Sequence, residues 1–322
     1  MQDYPQPRIV ISRCLGFESC RYNDQVINDP FVRELREFVD PITPCPEADM
    51  GLGVPRFPVR LVRENDELKL KQPETERDLT EEFNNYCNEF FEQLPPVDGF
   101  IVKYRSPTCG QKAAKIYHTT GKEAPVDTGP GMFSREIIHR RTDIPLEDEG
   151  RLKNYRLRYQ FYSNIFTLAR FRKIKENPKM KKLVDFHSRH KFLLMAHDEE
   201  KMRQLGRICA NEEGQPVGDV FENYEELLRK NLAGESTRKT NINVLQHMSG
   251  YFSETNSSRE KDYFEQSLDL YREQRIPLSS VLSIINSWAL RDENDYLLNQ
   301  YYLKPFPRDL LELKDSGREI EL

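Results

Sequence analysis

The sequence predicts an α/β N-terminal domain with a mostly parallel sheet, followed by an all-α C-terminal domain. Up to about residue 150, short β-rich runs alternate with helically spaced segments, the pattern that builds parallel sheets. Beyond it, apolar residues recur at helical spacing. Between the two, residues 141–150 combine Pro145, Gly150 and four acids, a composition that reads as a border. We place it near Gly150, giving domains 1–150 and 151–322.

In the first domain, residues 8–12 (RIVIS) read as a strand, and Asp29-Pro30 opens a helix carrying Phe31, Val32, Leu35, Phe38 and Val39. A second strand is expected at 41–43 and a hairpin over 59–71. Asp78 begins an amphipathic helix with Leu79, Phe83, Cys87, Phe90 and Leu94 on one face, and Glu81 completes a capping-box pattern. A strand follows at 99–103. In the second domain, Tyr155, Tyr159, Tyr162, Phe166 and Ala169 form one helical stripe, and further helices are expected at 180–210, 218–232, 238–252, 257–273 and 278–300.

At 322 residues the chain can bury two cores, and 37% hydrophobic, 11% aromatic and 31% charged residues describe a soluble globular protein. No basic head precedes an apolar stretch at the N-terminus, and no apolar run reaches membrane-spanning length, so we expect a cytoplasmic protein with no membrane partner. The net charge of −5 hides an asymmetry: residues 1–150 hold 19 Lys+Arg and 27 Asp+Glu, net −8, and the remainder is net +3. Residues 151–191 contain 13 basic and two acidic residues, net +11, interleaved with aromatics, which is a polyanion footprint.

Six cysteines, at 14, 20, 45, 87, 109 and 209, are read as thiols or metal ligands in a reducing compartment. Cys14, Cys45 and Cys109 each follow a predicted strand and lie beside small or rigid residues. By position alone they fit either a metal site or buried loop thiols. No spacing matches a zinc ribbon. Cys87 and Cys209 fall on helix faces and read as core residues. His187, His190, His197 and His247 read as hydrogen-bonding residues, with no metal assigned to them.

Three blocks resemble the thiouracil desulfurase family: Ser12-Arg13-Cys14-Leu15-Gly16 with Cys20-Arg21-Tyr22-Asn23; Pro44-Cys45-Pro46-Glu47 with Gly51-Leu52-Gly53-Val54-Pro55-Arg56; and Arg105-Ser106-Pro107-Thr108-Cys109-Gly110. They occur in the family's order and cover most of residues 8–140. The runs Lys191-Phe192-Leu193-Leu194-Met195-Ala196-His197 and Asn243-Val244-Leu245-Gln246-His247-Met248-Ser249-Gly250-Tyr251-Phe252 resemble the helical domain fused to desulfurases acting on 4-thiouridine in tRNA.

The resemblance implies a 4Fe-4S cluster on Cys14, Cys45 and Cys109, with a catalytic acid at Glu47 and a catalytic hydroxyl at Ser106. Cys20 is an extra thiol that either ligates or assists. Asn23 stands where an acid is usual and Thr108 where serine is usual, so Thr108 competes with Ser106 for the hydroxyl's role. The implied reaction is non-redox desulfuration of 4-thiouridine in tRNA, releasing sulfide. Desulfuration of free thiouracil or a thionucleoside is the alternative within the enzyme class; a non-catalytic RNA-binding protein with structural zinc is the alternative outside it. Phosphate contacts are expected from Lys173, Lys175, Arg189, Lys191, Arg238 and Lys239, with Lys179, Lys181 and Lys182 as further candidates. Oligomeric state is not legible in the sequence.

Overall fold

The architecture is an α/β unit followed by a helical one, as the periodicities predict. The computed structural model describes residues 4–121 and 123–311. In chain order the elements of the first unit are β1 (Arg8–Ile11), α1 (Pro30–Leu35), β2 (Asp40–Ile42), β3 (Arg60–Glu64), β4 (Glu67–Gln72), β5 (Arg77–Asp78), α2 (Thr80–Gln93), β6 (Gly99–Val102), β7 (Ala114–Tyr117), β8 (Asp127–Gly129), α3 (Met132–Arg140) and β9 (Leu146–Asp148).

The sheet that carries the cysteine loops has the order β2-β1-β6-β9, and every pairing in it is parallel. Ile9 faces both Pro41 and Gly99 in register, so β1 has a partner on each side. That placement explains its composition: Ile9, Val10 and Ile11 are all buried, as are Phe100, Ile101 and Val102 of β6, because interior parallel strands read as unbroken apolar runs. A second, mixed sheet has the order β5-β4-β3-β7-β8. Its β3-β4 hairpin turns at Asn65 and Asp66, both at positive φ, the conformation Asn and Asp accept in tight turns. Leu61 and Leu70 of the hairpin join Phe83 and Phe91 of α2 and Phe133 and Ile137 of α3 in one core.

The capping box expected at Asp78 does not form. Asp78 belongs to β5, and the helix starts from Leu79, which has no side-chain cap. Asp78 instead accepts from the Thr80 amide at 3.0 Å, and the Thr80 hydroxyl accepts from the Leu70 amide at 3.0 Å, so strand pairing uses the residues that a cap would need.

The chain divides between Phe161 and Tyr162, inside the helix α4 (Tyr155–Lys175). Residues 141–150, read from the sequence as a border, carry the sheet-edge strand β9, whose Leu146 pairs with Phe100. The turn formers that suggested a border surround a three-residue strand.

The second unit holds α5 (Met180–His197), α6 (Glu199–Ala210), α7 (Val217–Leu232), α8 (Arg238–Ser249), α9 (Ser258–Arg272), α10 (Leu278–Arg291) and the short α11 (Asp295–Leu298). Leu194, Leu205, Leu228, Leu245, Leu268 and Ile285 form its core. The single helix expected over 180–210 breaks at Asp198, whose extended backbone ends α5 and whose side chain caps α6 by accepting from the Lys201 amide at 3.0 Å. The two family-like runs in this unit are largely packing surfaces: residues 192–197 are all buried, as are Val244, Leu245, Met248 and Phe252.

The start of α3 rests on the loop of residues 106–110. Amides of Gly131, Met132 and Phe133 donate to the carbonyls of Gly110, Pro107 and Thr108 at 2.7, 3.2 and 2.8 Å, so the loop satisfies helix donors that would otherwise lack partners. Ser134 Oγ adds a bond to the Cys109 carbonyl at 2.6 Å. Backbone and backbone are so close that a Cβ on Gly131 would lie 2.5 Å from the Thr108 carbonyl oxygen. Gly131→Ala is therefore expected to lower unfolding free energy by about 1–3 kcal/mol, read as a reduced urea midpoint.

Candidate active site

Parallel strands deliver their following loops to one edge of a sheet, and β1, β2 and β6 place Cys14, Cys45 and Cys109 at that edge. Cys20 lies in the same loop as Cys14, and the Cys45 thiol donates to the Cys20 carbonyl at 3.5 Å. Cys20 is pushed up to about 12, first by the neighbouring Cys14 thiol and then by burial. Cys45 is raised too, by the neighbouring Cys20 thiol and by burial. Cys109, reached through Thr108 and Ser12, is pushed up to about 12 by burial and by the negative charge of Glu47.

Two polar systems hold these loops. In the first, Arg13 Nη2 pairs with Asp49 at 2.8 Å while its Nε donates to the Thr43 carbonyl at 2.9 Å; Asp49 also accepts from the Cys45 amide at 2.9 Å. The loop after β1 is thereby locked to the loop after β2.

The second contains the predicted catalytic residues. Glu47 is 9% exposed. Its Oε2 receives Nε and Nη2 of Arg56 at 2.9 and 2.8 Å, and its Oε1 accepts from the Thr108 hydroxyl at 2.7 Å. The Thr108 and Ser106 hydroxyls are 2.9 Å apart, and Ser106 Oγ also accepts from the Cys109 amide at 3.0 Å. Glu47, Thr108 and Ser106 thus form a continuous hydrogen-bonded chain. Thr108 touches the carboxylate directly, and Ser106 stands one hydroxyl further along.

Arg56, the end of the Gly51–Arg56 run, is the site residue that sequence spacing does not reveal. Beyond Glu47, its Nη1 donates to the Cys20 carbonyl at 2.9 Å and the Gly53 carbonyl at 3.0 Å, and its Nη2 lies 4.0 Å from Cys45 Sγ. The readable signal was an arginine nine residues beyond an acid in a glycine-rich loop, a separation only tertiary structure can turn into a contact.

The donor set suits an iron-sulfur cluster. It consists of soft thiols alone, with Cys14 and Cys109 buried and Cys45 partly so. A cationic iron core would take the place of the thiol protons. Among the described residues no three His, Cys, Asp or Glu side chains converge as the ligands of a single ion would. A cluster makes a different demand, since each thiolate meets its own iron.

The remaining sequence candidates lie in other settings. Cys87 and Cys209 are core residues of α2 and α6. His187 bonds the Tyr224 hydroxyl at 3.1 Å, His190 the Phe186 carbonyl at 2.7 Å and His197 the Gly234 carbonyl at 2.6 Å. Of the expected RNA contacts, Lys175 is engaged by Glu222 and Glu225 at 2.8 and 2.5 Å, and Lys173 pairs with Glu176 at 3.3 Å. Arg189 and Arg238 lie over the rings of Tyr301 and Tyr271 at 4.7 and 5.7 Å, and Lys191 lies 5.9 Å from the Phe192 ring centre. Lys239 is exposed. No described helix is long and apolar enough to cross a membrane.

Residues 9–149 match the family described as 2-thiouracil desulfurase, and residues 191–307 match one described as a protein of unknown function, DUF1722. The two-part arrangement that the motifs suggested is borne out. A relative in Escherichia coli (strain K12), Uncharacterized protein YbgA, is 29% identical over 155 residues, covering 48% of this chain and 91% of that protein. A solved structure of the 4Fe-4S-dependent thiouracil desulfidase TudS is 25% identical, with a TM-score of 0.36, and covers 46% of this chain and 93% of the other. The family match supports thiouracil desulfidase activity in general terms.

Breaking the buried ion pair from one side leaves Glu47 with an uncompensated charge. Arg56→Met is expected to cost about 3–5 kcal/mol, measured by urea denaturation of the protein purified anaerobically.

Proposed function

We propose that this protein replaces the thiocarbonyl sulfur of 4-thiouridine in tRNA by oxygen, water entering and sulfide leaving, with a 4Fe-4S cluster held by Cys14, Cys45 and Cys109. The observation that carries the reading is the hydrogen-bonded chain from Glu47 through Thr108, the residue next to Cys109, to Ser106.

When bound, a cluster with only three protein thiolates supplies an open thiophilic iron, a Lewis acid for the substrate's sulfur. The chain's own residues supply the proton handling. Glu47 takes a proton from the attacking water and passes it toward the departing sulfide. Arg56 fixes one carboxylate oxygen and Thr108 the other, so Glu47 is oriented before substrate arrives. Ser106 and Thr108 act in series: Thr108 orients the acid, and Ser106 faces the base or relays the proton. The hydrolysis needs no electrons from outside, because sulfur leaves at the oxidation level it had in the base.

The net +11 segment of residues 151–191 supports a polyanionic substrate. The second reading, free thiouracil as substrate, is favoured by the description of the matched family. Turnover of thiolated tRNA compared with that of the free base separates the two.

The anaerobically purified protein is expected to contain iron and sulfide, and alanine at Cys14, Cys45 or Cys109 to lose both. Glu47→Gln is expected to lower kcat on thiolated tRNA roughly 10²- to 10⁴-fold with the cluster's visible absorption retained. Zinc without iron, or iron-replete protein that leaves both thiolated tRNA and 4-thiouracil unchanged, would overturn the reading.

A further inference from the structure

Two arginines flank the thiol loops and have no carboxylate partner among the described residues. Other cations of this acidic unit do have one: Arg8, Arg13, Arg56, Arg63, Lys71, Lys103 and Arg151 all pair with acids. Arg21, immediately after Cys20, lies against an aromatic ring instead, its guanidinium carbon 5.5 Å from the centre of the Tyr22 ring. Arg105, immediately before Ser106, does the same 4.9 Å from the ring of Tyr104.

The fold brings the two loops that carry these pairs to the same edge of the sheet as the site. Arg21 follows β1 and Arg105 follows β6, strands that are hydrogen-bonded neighbours, so their loops leave the sheet side by side at the edge that carries Cys14 and Cys109. Arg105 is exposed and held at φ +60°, a conformation uncommon outside glycine that fixes the direction of the chain entering Ser106. Tyr22 is 42% exposed and Phe57 is 55% exposed. The loop carrying Arg21 and Tyr22 is tied to the carboxylate: the Arg56 amide donates to the Tyr22 carbonyl at 3.0 Å, and the Arg56 side chain holds Glu47.

We propose that Arg21 with Tyr22 and Arg105 with Tyr104 form a grip for single-stranded RNA around the thiolated base. The arginines take the phosphates on either side of it, and the exposed Tyr22 ring stacks on an adjoining base. An arginine free of acidic partners offers its charge to a phosphate without first breaking an ion pair, and an exposed ring stacks on any base without regard to sequence. The identity of the central base rests on the desulfuration reading above. The grip accounts for how RNA is held by the first unit itself, apart from the basic segment that follows it.

The test is the affinity of anaerobically purified protein for fluorescein-labelled oligouridylate without thiolation, read by anisotropy across a potassium chloride series. Arg21→Ala and Arg105→Ala are each expected to weaken binding at least about tenfold. Each should also reduce the slope of log affinity against log salt by roughly 0.7, the counterion release of one single-strand phosphate contact. Arg21→Lys and Arg105→Lys, which keep the charge, should restore the slope and so separate charge from folding. An Arg21→Ala/Arg105→Ala double variant with wild-type affinity and slope overturns the grip, as does wild-type protein that does not bind the probe. If the wild type binds as expected but desulfurates neither thiolated tRNA nor 4-thiouracil, the desulfuration reading falls and the grip stands.

Discussion

The ion pair between Arg56 and Glu47 is the contact on which the site depends. Both partners are nearly closed to solvent, with side-chain exposures of 4% and 11%, so each is tolerable there only because the other is present. The same guanidinium reaches the Cys20 carbonyl and lies close to the Cys45 sulfur, so one side chain joins the loop after β1 to the loop after β2. Thr108 extends the connection to the loop after β6 through the other carboxylate oxygen. Three loops that share no sequence neighbourhood are held by one carboxylate and one guanidinium. Arg13 and Asp49 brace the first two of them a second time.

Orientation and reactivity come from this single arrangement. A general acid or base works only within hydrogen-bond reach of its proton, and a carboxylate on a loop would ordinarily sweep a wide range of positions. Here both oxygens of Glu47 are spoken for, one by two N–H donors and one by a hydroxyl. Thr108, 1% exposed, is itself held between the carboxylate and Ser106, so the departure from the family's usual serine keeps the oxygen and adds a buried methyl group. The Ser106 and Thr108 hydroxyls occupy successive positions along one hydrogen-bonded chain.

Much of the first unit was legible because its central strands β1 and β6 are unbroken apolar runs; they and the edge strand β2 lie within a residue of where the sequence put them. The strands β7, β8 and β9 were not, because they lack such a run and owe their conformation to the strands they pair with. The break at Asp198 carried a readable signal, an acid followed by Glu199 and Glu200 in a first helical turn, which the apolar periodicity of the flanking helices concealed. Arg56 shows the opposite case: its residue type and position were in view, and its partner was not. In the second unit the positive stretch is partly answered by acids from elsewhere, as where α7 brings Glu222 and Glu225 to Lys175. A net charge counted along the chain overstates what a surface can offer when neighbouring helices bring countercharge.

The all-parallel pairing around β1 also orders events in time. Cys14 and Cys109 come together only once Ile9 has found Gly99, a contact between residues far apart in the chain, and Cys45 joins through a separate crossover. In small zinc modules closely spaced ligands let the metal drive folding. Here the sheet must close first, and the thiols converge as a result of its closing. Any inorganic core these thiols were to take would thus have to reach a finished scaffold, and a chain stalled before β6 pairs would not bring the thiols together to receive one.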